Sequence, residues 1–383
     1  MKSTCTCTPA SSGPLERRST RIVFLIAGLG VSTWAPLVPF AKARAGLGDG
    51  ALGLVLLCLG VGSIAAMPAA GALAARFGCR LILIVSIVLI LVTLPLLAAV
   101  SNLLVLVVVL FIFGAGVGSV DCVANIQAVI VERASGRPLM SGFHGLFSVG
   151  GIVAAGGVSA LLSFGASPLV ATLCVAAAIL AMLIKAAPDL LPHRGGGEGA
   201  VFAIPHGVVL FIGVLCFIVF LTEAAVLDWG AVFLTSVRDV EPSHAGLGYA
   251  AFAGMMTVGR LTGDAIVQRT SGVLVVVIGS LFAAAGLAFA ALLPTWEAGV
   301  LGFALVGAGC SNIVPVLYTA VGRQRVMPEH IAVPAISTIG YAGILIGPAF
   351  IGFIAHMTSL SIALLAVAVL LIGVAASGPV LKT

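Results

Sequence analysis

Asp121 and Asn125 stand four residues apart inside an otherwise apolar stretch, so on a helix both occupy one face. A carboxylate in hydrocarbon costs roughly 2.5–3.5 kcal/mol on insertion scales and therefore turns toward a cavity or a partner. Two chemistries fit. Asp121 could take up and release a proton as its surroundings change, because protonation removes the cost of carrying charge through a dry site, or it could hydrogen-bond a neighbouring helix. His144, one turn into the next apolar stretch, could partner Asp121, hydrogen-bond a polyol, or simply pack at a helix end. Farther on, Glu223 and Asp228 lie five apart, about 140° around a helix, so an unbroken helix cannot aim both at one spot. Glu223 is then a second proton-coupling or solute-binding carboxylate, and Asp228 a solute, gate or interfacial group.

Rings and amides complete the set. Trp34, flanked by Pro36 and Pro39, and Trp229 hold corresponding places in the two halves of the chain. Broken helices at both would put the indoles on an outer vestibule, where their faces could pack against the C–H faces of a sugar-like solute; an aromatic belt at the membrane surface is the plainer reading. Asn312, near Pro315, and Tyr341 are further candidates for solute contact. Arg260 and Asp264, four apart, form either an intrahelical pair or part of an inward-side latch. No metal-ligand spacing is present: the eight cysteines are scattered, and Cys5 and Cys7 have no partners at metal-site spacings. Neither a phosphate-binding Gly-x-x-x-x-Gly-Lys-Ser/Thr loop nor a His-Glu-x-x-His pair occurs, so no ATPase or zinc-protease chemistry is expected, and no cofactor.

The elements that must position these residues are membrane helices. The 383 residues are 61% hydrophobic and 8% charged, which excludes a water-soluble globule and fits about a dozen spans of about 20 residues. Apolar runs place the spans at 22–40, 51–75, 81–100, 103–131, 139–162, 168–184, 207–234, 244–267, 272–293, 298–321, 331–356 and 360–374. With the N-terminus in the cytoplasm, 15 of the 18 Lys and Arg residues fall inside and only Lys42, Arg44 and Arg238 outside, which predicts both termini cytoplasmic in an inner (plasma) membrane. The net charge of +5 follows from this sorting and implies no nucleic-acid partner. Gly114-Ala115-Gly116 recurs as Gly307-Ala308-Gly309 and Gly53-Leu54 as Gly246-Leu247, both at an offset of 193; Gly71 matches Gly263 and Gly151-Ile152 matches Gly343-Ile344 at 192. Six spans repeated in one orientation predict two parallel six-helix halves related by an axis along the membrane normal. The expected organisation is a disordered tail at 1–20, a first half at 21–187, a cytoplasmic linker at 188–206 and a second half at 207–377.

The loop Gly71-Ala72-Leu73-Ala74-Ala75-Arg76-Phe77-Gly78-Cys79-Arg80 resembles the cytoplasmic loop motif of the major facilitator superfamily, with Ala75 at the acidic position and Cys79 at a basic one. The resemblance implies a cytoplasmic gate at Arg76 and Arg80, shared with Arg260 and Asp264; positive-inside sorting is the alternative for the first pair. The run Gly114 to Asn125 with Asp121, followed by Glu132-Arg133, resembles the fucose-permease-like branch. Met140 to Ser148, Glu223 to Trp229 and Gly340 to Pro348 are similar to its YbjJ-like members. The resemblance implies the major facilitator fold and proton coupling at the Asp121 position. It further implies alternating-access transport of a sugar-like or inositol-like solute, export of a rhizopine-type amino-inositol being one case. Solute, protons and the bilayer are the expected partners of a monomer. A drug/proton antiporter for lipophilic compounds and a non-transporting sensor on the same fold are the other readings.

Overall fold

A computed structural model describes residues 13–192, 204–241 and 244–382, and within them the chain is helical, with no strand. The first half comprises α1 (Pro14–Ser32), α2 (Val38–Ala45), α3 (Asp49–Phe77), α4 (Cys79–Ala99), α5 (Leu103–Ser135), α6 (Met140–Ser163) and α7 (Pro168–Ala186). The second comprises α8 (Gly207–Val237), α9 (Leu247–Arg269), α10 (Gly272–Leu292), α11 (Trp296–Cys310), α12 (Ile313–Arg323), α13 (Glu329–Met357) and α14 (Leu360–Ala376). Eleven stretches are long and apolar enough to cross a membrane; α1 with α2, and α11 with α12, each count as one. The 23-residue α9 supplies the twelfth, its apolar character diluted by Arg260, Asp264 and Arg269.

The repeat reappears in the packing. In the first half α3 packs on α5, α1 on α6 and α4 on α5; in the second α9 packs on α11, α8 on α13 and α10 on α11. Gly114 lies against the Leu59 carbonyl so closely that a β-carbon would collide with backbone, and Gly307 lies in the same way against the Phe252 carbonyl. Both members of the contact are displaced by 193 residues. Small residues let membrane helices approach this closely, so glycine is required twice at one place in a repeated design. The halves meet through α3 on α13 and α6 on α9. Gly71 seats on Pro334 and Gly263 on Ser141 at these two crossings.

Three expectations need correction. The tail at 1–20 is helical from Pro14, because Pro at the first position and Glu16 in the first turn start α1 early. Ser19 and Thr20 are then buried: Ser19 Oγ donates to the Asp189 carbonyl at 2.9 Å and Gln127 Nε2 donates to Thr20 Oγ1 at 2.9 Å. Residues 1–12, with Cys5 and Cys7, lie outside the described residues, as does 193–203 of the linker. The first span breaks at Trp34 into a 3-10 turn, Ala35–Leu37, with Pro36 in the turn and Pro39 just beyond it, whereas α8, which contains no proline, runs unbroken through Trp229. The tenth span is the other broken one. Pro315 has no N–H, and its ring excludes the Ser311 carbonyl one turn back, so α11 stops at Cys310 and α12 starts at Ile313.

Candidate functional site

On α5 the one-turn spacing brings Asp121 and Asn125 together. Asn125 Nδ2 donates to the Asp121 carbonyl at 2.9 Å and lies 3.5 Å from Asp121 Oδ1. The amide oxygen is thereby left to accept, and His144 Nε2 on α6 stands 3.1 Å from it, so that ring nitrogen carries the proton. The partner of His144 is therefore Asn125 rather than Asp121 itself. The imidazole sits between Phe24 of α1, with ring centroids 5.2 Å apart, and Tyr318 of α12, at 5.8 Å. A first-half histidine thus touches the second half. Tyr318 is held in turn by a 2.7 Å hydrogen bond between its hydroxyl and Ser337 Oγ of α13.

From the second half comes Arg260 of α9, a buried cation among apolar helices. Three acceptors meet it. The Ser311 carbonyl, freed by Pro315, accepts from Nε at 3.4 Å; Ser148 Oγ of the first half accepts from Nη1 at 3.0 Å; and Glu223 Oε1 of α8 lies 3.5 Å from Nη2. Ser148 also donates to the His144 carbonyl at 3.3 Å. Burying an ion costs several kcal/mol unless it is paired and hydrogen-bonded. The broken tenth span, the hydroxyl from the other half and the carboxylate together meet that requirement. One continuous polar path therefore runs Asp121, Asn125, His144, Ser148, Arg260, Glu223 across the seam between the halves. The expected intrahelical Arg260–Asp264 pair is not what forms: Arg260 is held by the Ser311 carbonyl, Ser148 and Glu223, while Asp264 accepts from the Gly142 N–H.

The chain contains three tyrosines: Tyr318 touches His144 across the seam, while Tyr249 stands on α9 and Tyr341 on α13. Tyr341 packs edge-on against Phe220 at 6.1 Å. Tyr249, Tyr318, Ser148, Ser311 and Ser337 were not singled out from sequence. The rarity of tyrosine in so apolar a chain is the one signal that could have found the first two.

Other candidates lie apart from this path. Trp34 is buried on the turn after α1, its indole N–H unpartnered. Trp229 donates its N–H to the Pro348 carbonyl at 3.2 Å, pinning α8 to α13. Asp228 is exposed, as the 140° argument requires of a residue that cannot share the direction of Glu223. Asn312 sits at the break in the tenth span and ties it to α9, donating to the Gly259 carbonyl at 2.9 Å and to Ser311 Oγ at 3.0 Å.

The gate residues divide in two. Arg80 does not reach the second half: it donates to the Leu190 carbonyl at 2.9 Å and to that of Pro188, fixing the chain that leaves α7. Arg76 is exposed, its guanidinium over the Phe77 ring. The nearest carbonyls and ring satisfy both arginines within their own half. Asp264, by contrast, does cross: its Oδ2 accepts from the Gly142 N–H at 3.1 Å in the first turn of α6. Sequence reasoning passed over its companions. Glu132 accepts from the Leu139 and Met140 N–H groups at 2.7 and 2.8 Å and from Thr319 Oγ1 of the second half at 2.6 Å. Arg133 pairs with Glu329 across the seam at 2.7 Å. The hydrogen bonds and ion pair that Arg260, Asp264, Glu132 and Arg133 make between the halves lie from the Arg260–Ser148 level to this arginine-rich end.

Residues 22–332 match the family model described as Major Facilitator Superfamily. The chain is similar to an uncharacterized MFS-type transporter of Yersinia pestis, 53% identical over 368 residues and covering 95% of each chain. It is similar also to the membrane protein MosC of Rhizobium meliloti, 29% identical over 348 residues, covering 89% of this chain and 84% of MosC. Among solved structures, the Escherichia coli fucose:proton symporter FucP aligns with a TM-score of 0.79 at 16% identity, over 97% of this chain and 100% of that one.

Proposed function

From the premise that the chain belongs to the Major Facilitator Superfamily, and is a transporter rather than an enzyme, we propose that it carries a small polar, sugar-like or inositol-like solute by proton-coupled alternating access. The observation that carries this reading is the path from Asp121 to Glu223, which crosses from one half to the other through Ser148 and Arg260. Two carboxylates, one on each half, are linked through an amide, an imidazole, a hydroxyl and one arginine. Protonating either carboxylate changes the charge that must be occluded when the seam closes. Asp121 is the principal coupling group and Glu223 the second, with His144 and Asn125 orienting Asp121.

Solute is recognised by hydroxyl and ring groups along the seam: Tyr341, Tyr318, Tyr249, Asn125 and Glu223. A solute rich in hydroxyls finds there the few convergent polar groups and aromatic faces that small-molecule sites use. Similarity to a fucose:proton symporter supports a sugar-like solute and a proton. Asp264, Glu132 and Arg133, each bonded to the other half, hold the arginine-rich end shut. The positive-inside rule makes the shut end cytoplasmic, together with both termini and the linker, in an inner membrane.

A ligand that binds the native state raises its stability by mass action. Purified protein is therefore screened for thermal shift against fucose, xylose, myo-inositol, amino-inositols and lipophilic cations. Stabilisation by one of the polyols, lost in Asn125→Ala and Tyr341→Phe, is expected. Stabilisation by the lipophilic cations alone would overturn the assignment of solute class.

A further inference from the structure

At the arginine-rich end, the loop joining α5 to α6 in the first half faces the α9–α10 and α12–α13 loops of the second across a cleft of about 1020 Å³. Arg137 lines it from the first half, Arg323 and Arg325 from the second, and none of its lining residues is acidic. A smaller chamber of about 180 Å³ adjoins it, sharing Arg137 and Arg323. The carboxylate of that chamber, Glu132, is already engaged by two backbone N–H groups and Thr319, and its other arginine, Arg133, by Glu329. Among the described residues no ion pair reaches Arg137, Arg323 or Arg325.

The cleft is built rather than merely decorated. Gln324 Oε1 accepts from the Val326 and Met327 N–H groups at 2.6 and 2.9 Å while its Nε2 donates to the Met327 carbonyl at 2.6 Å, which fixes the turn after Arg323. Ser135 Oγ donates to the Glu132 carbonyl at 2.8 Å and accepts from the Arg137 N–H at 3.4 Å, which fixes the other loop. Val208, Val267, Val273 and Val316 give it an apolar wall. Positive-inside sorting explains why arginines gather at this end, but not why arginines from both halves converge on one acid-free cavity whose loops are held by their own side chains.

We propose that this cleft binds a phosphate-bearing anion that bridges the two halves at their closed end. Guanidinium forks match the paired oxygens of a phosphate, and three positive charges without an ion pair among the described residues suit its charge better than that of a single carboxylate. The source is either the headgroup of an anionic phospholipid, for which the valine wall and the membrane-surface position are suited, or a free phosphate. A ligand that touches both halves binds the closed arrangement better than one in which they part.

The test uses the full chain in phosphatidylcholine nanodiscs. Inorganic phosphate and pyrophosphate are titrated in one arm, and headgroup-labelled phosphatidylglycerol in the other. Dissociation constants are compared for the parent, Arg137→Gln/Arg323→Gln/Arg325→Gln, the corresponding triple Lys variant, and Arg76→Gln, an exposed arginine outside the cleft. Weakening of about fivefold for each arginine removed is expected, about a hundredfold for all three, with the Lys variant, which keeps the charges but loses the forks, binding between the two and Arg76→Gln unchanged. Binding of the labelled lipid alone assigns the site to a headgroup; binding of inorganic phosphate as well shows that the phosphate group suffices. The proposal is overturned if the triple Gln variant binds as the parent does, if Arg76→Gln loses as much, or if neither probe binds the parent. Should the triple Gln variant fail to fold, Arg137→Gln alone, on an exposed loop, decides.

Discussion

Replacing Glu223 by Gln and Arg260 by Met, singly and together, tests whether the seam is held by a coupled ion pair. At 3.5 Å and an effective dielectric constant of about 20, opposite unit charges attract by about 5 kcal/mol. Arg260 is nearly inaccessible, but the Glu223 side chain is 21% exposed, so solvent screening takes roughly half of that and leaves about 2–3 kcal/mol. Glu223→Gln keeps an acceptor but strands a buried cation; Arg260→Met keeps volume but strands a carboxylate and leaves Ser148 and the Ser311 carbonyl without their donor. Each single variant should lose roughly 3 kcal/mol, since breaking one side of a buried pair costs more than removing both. The double variant should then recover roughly 2 kcal/mol of the summed loss. Equilibrium unfolding in mixed micelles, driven by a rising fraction of denaturing detergent, gives the three differences. If the double variant's loss equals the sum of the singles to within about 0.5 kcal/mol, the two side chains merely cross and the path from α8 to α6 through Arg260 does not exist.

Further outcomes follow from single contacts. Gly114→Ala and Gly307→Ala should each lose roughly 1–3 kcal/mol and by similar amounts in the same unfolding assay, because each β-carbon strikes a neighbouring helix's backbone; Gly156→Ala, with open space around it, should be neutral or stabilising, and unequal losses at the first two positions would contradict the repeat. Pro315→Ala supplies the N–H that closes the helix onto the Ser311 carbonyl and removes an acceptor from Arg260; roughly tenfold weaker solute binding by thermal shift is expected, with unchanged binding counting against the freed carbonyl's role. The Arg133–Glu329 pair is more than half exposed on its arginine side, so Glu329→Gln should change stability by less than about 1 kcal/mol while raising thiol labelling of a cysteine placed behind it at the closed end; unchanged labelling would show that the pair does not hold that end shut.

The scaffold was legible because membranes simplify the code: each span must satisfy its own backbone, so an apolar run of sufficient length reads as one helix. The repeat was legible because close helix approach demands glycine, and Gly114 and Gly307 meet that demand at equivalent points. The site was only partly legible. Asp121, Asn125, His144 and Glu223 stood out by the cost of polar groups in hydrocarbon, and the structure joins them. Arg260 reads as a gate residue because its i+4 neighbour is an acid, whereas its guanidinium reaches the Ser311 carbonyl, Ser148 and Glu223 on other helices. Trp34 and Trp229 were matched by residue type, but the first half has the helix-breaking prolines there and the second does not, so the equivalence ended at the backbone. Ser148 and Ser311 carried no signal at all, since serines are common where membrane helices pack.

The most direct test of proton-coupled transport is accumulation in proteoliposomes under an imposed pH gradient, with the labelled polyol identified by thermal shift, comparing the parent with Asp121→Asn. The parent should concentrate the solute against its gradient, and collapse of the pH difference should release it. Asp121→Asn should still exchange labelled for unlabelled solute at equilibrium while failing to accumulate it, because the amide holds the uncharged form permanently. Accumulation by Asp121→Asn equal to that of the parent would contradict the assignment of coupling to Asp121, and accumulation by the parent that ignores the pH gradient would contradict proton coupling itself.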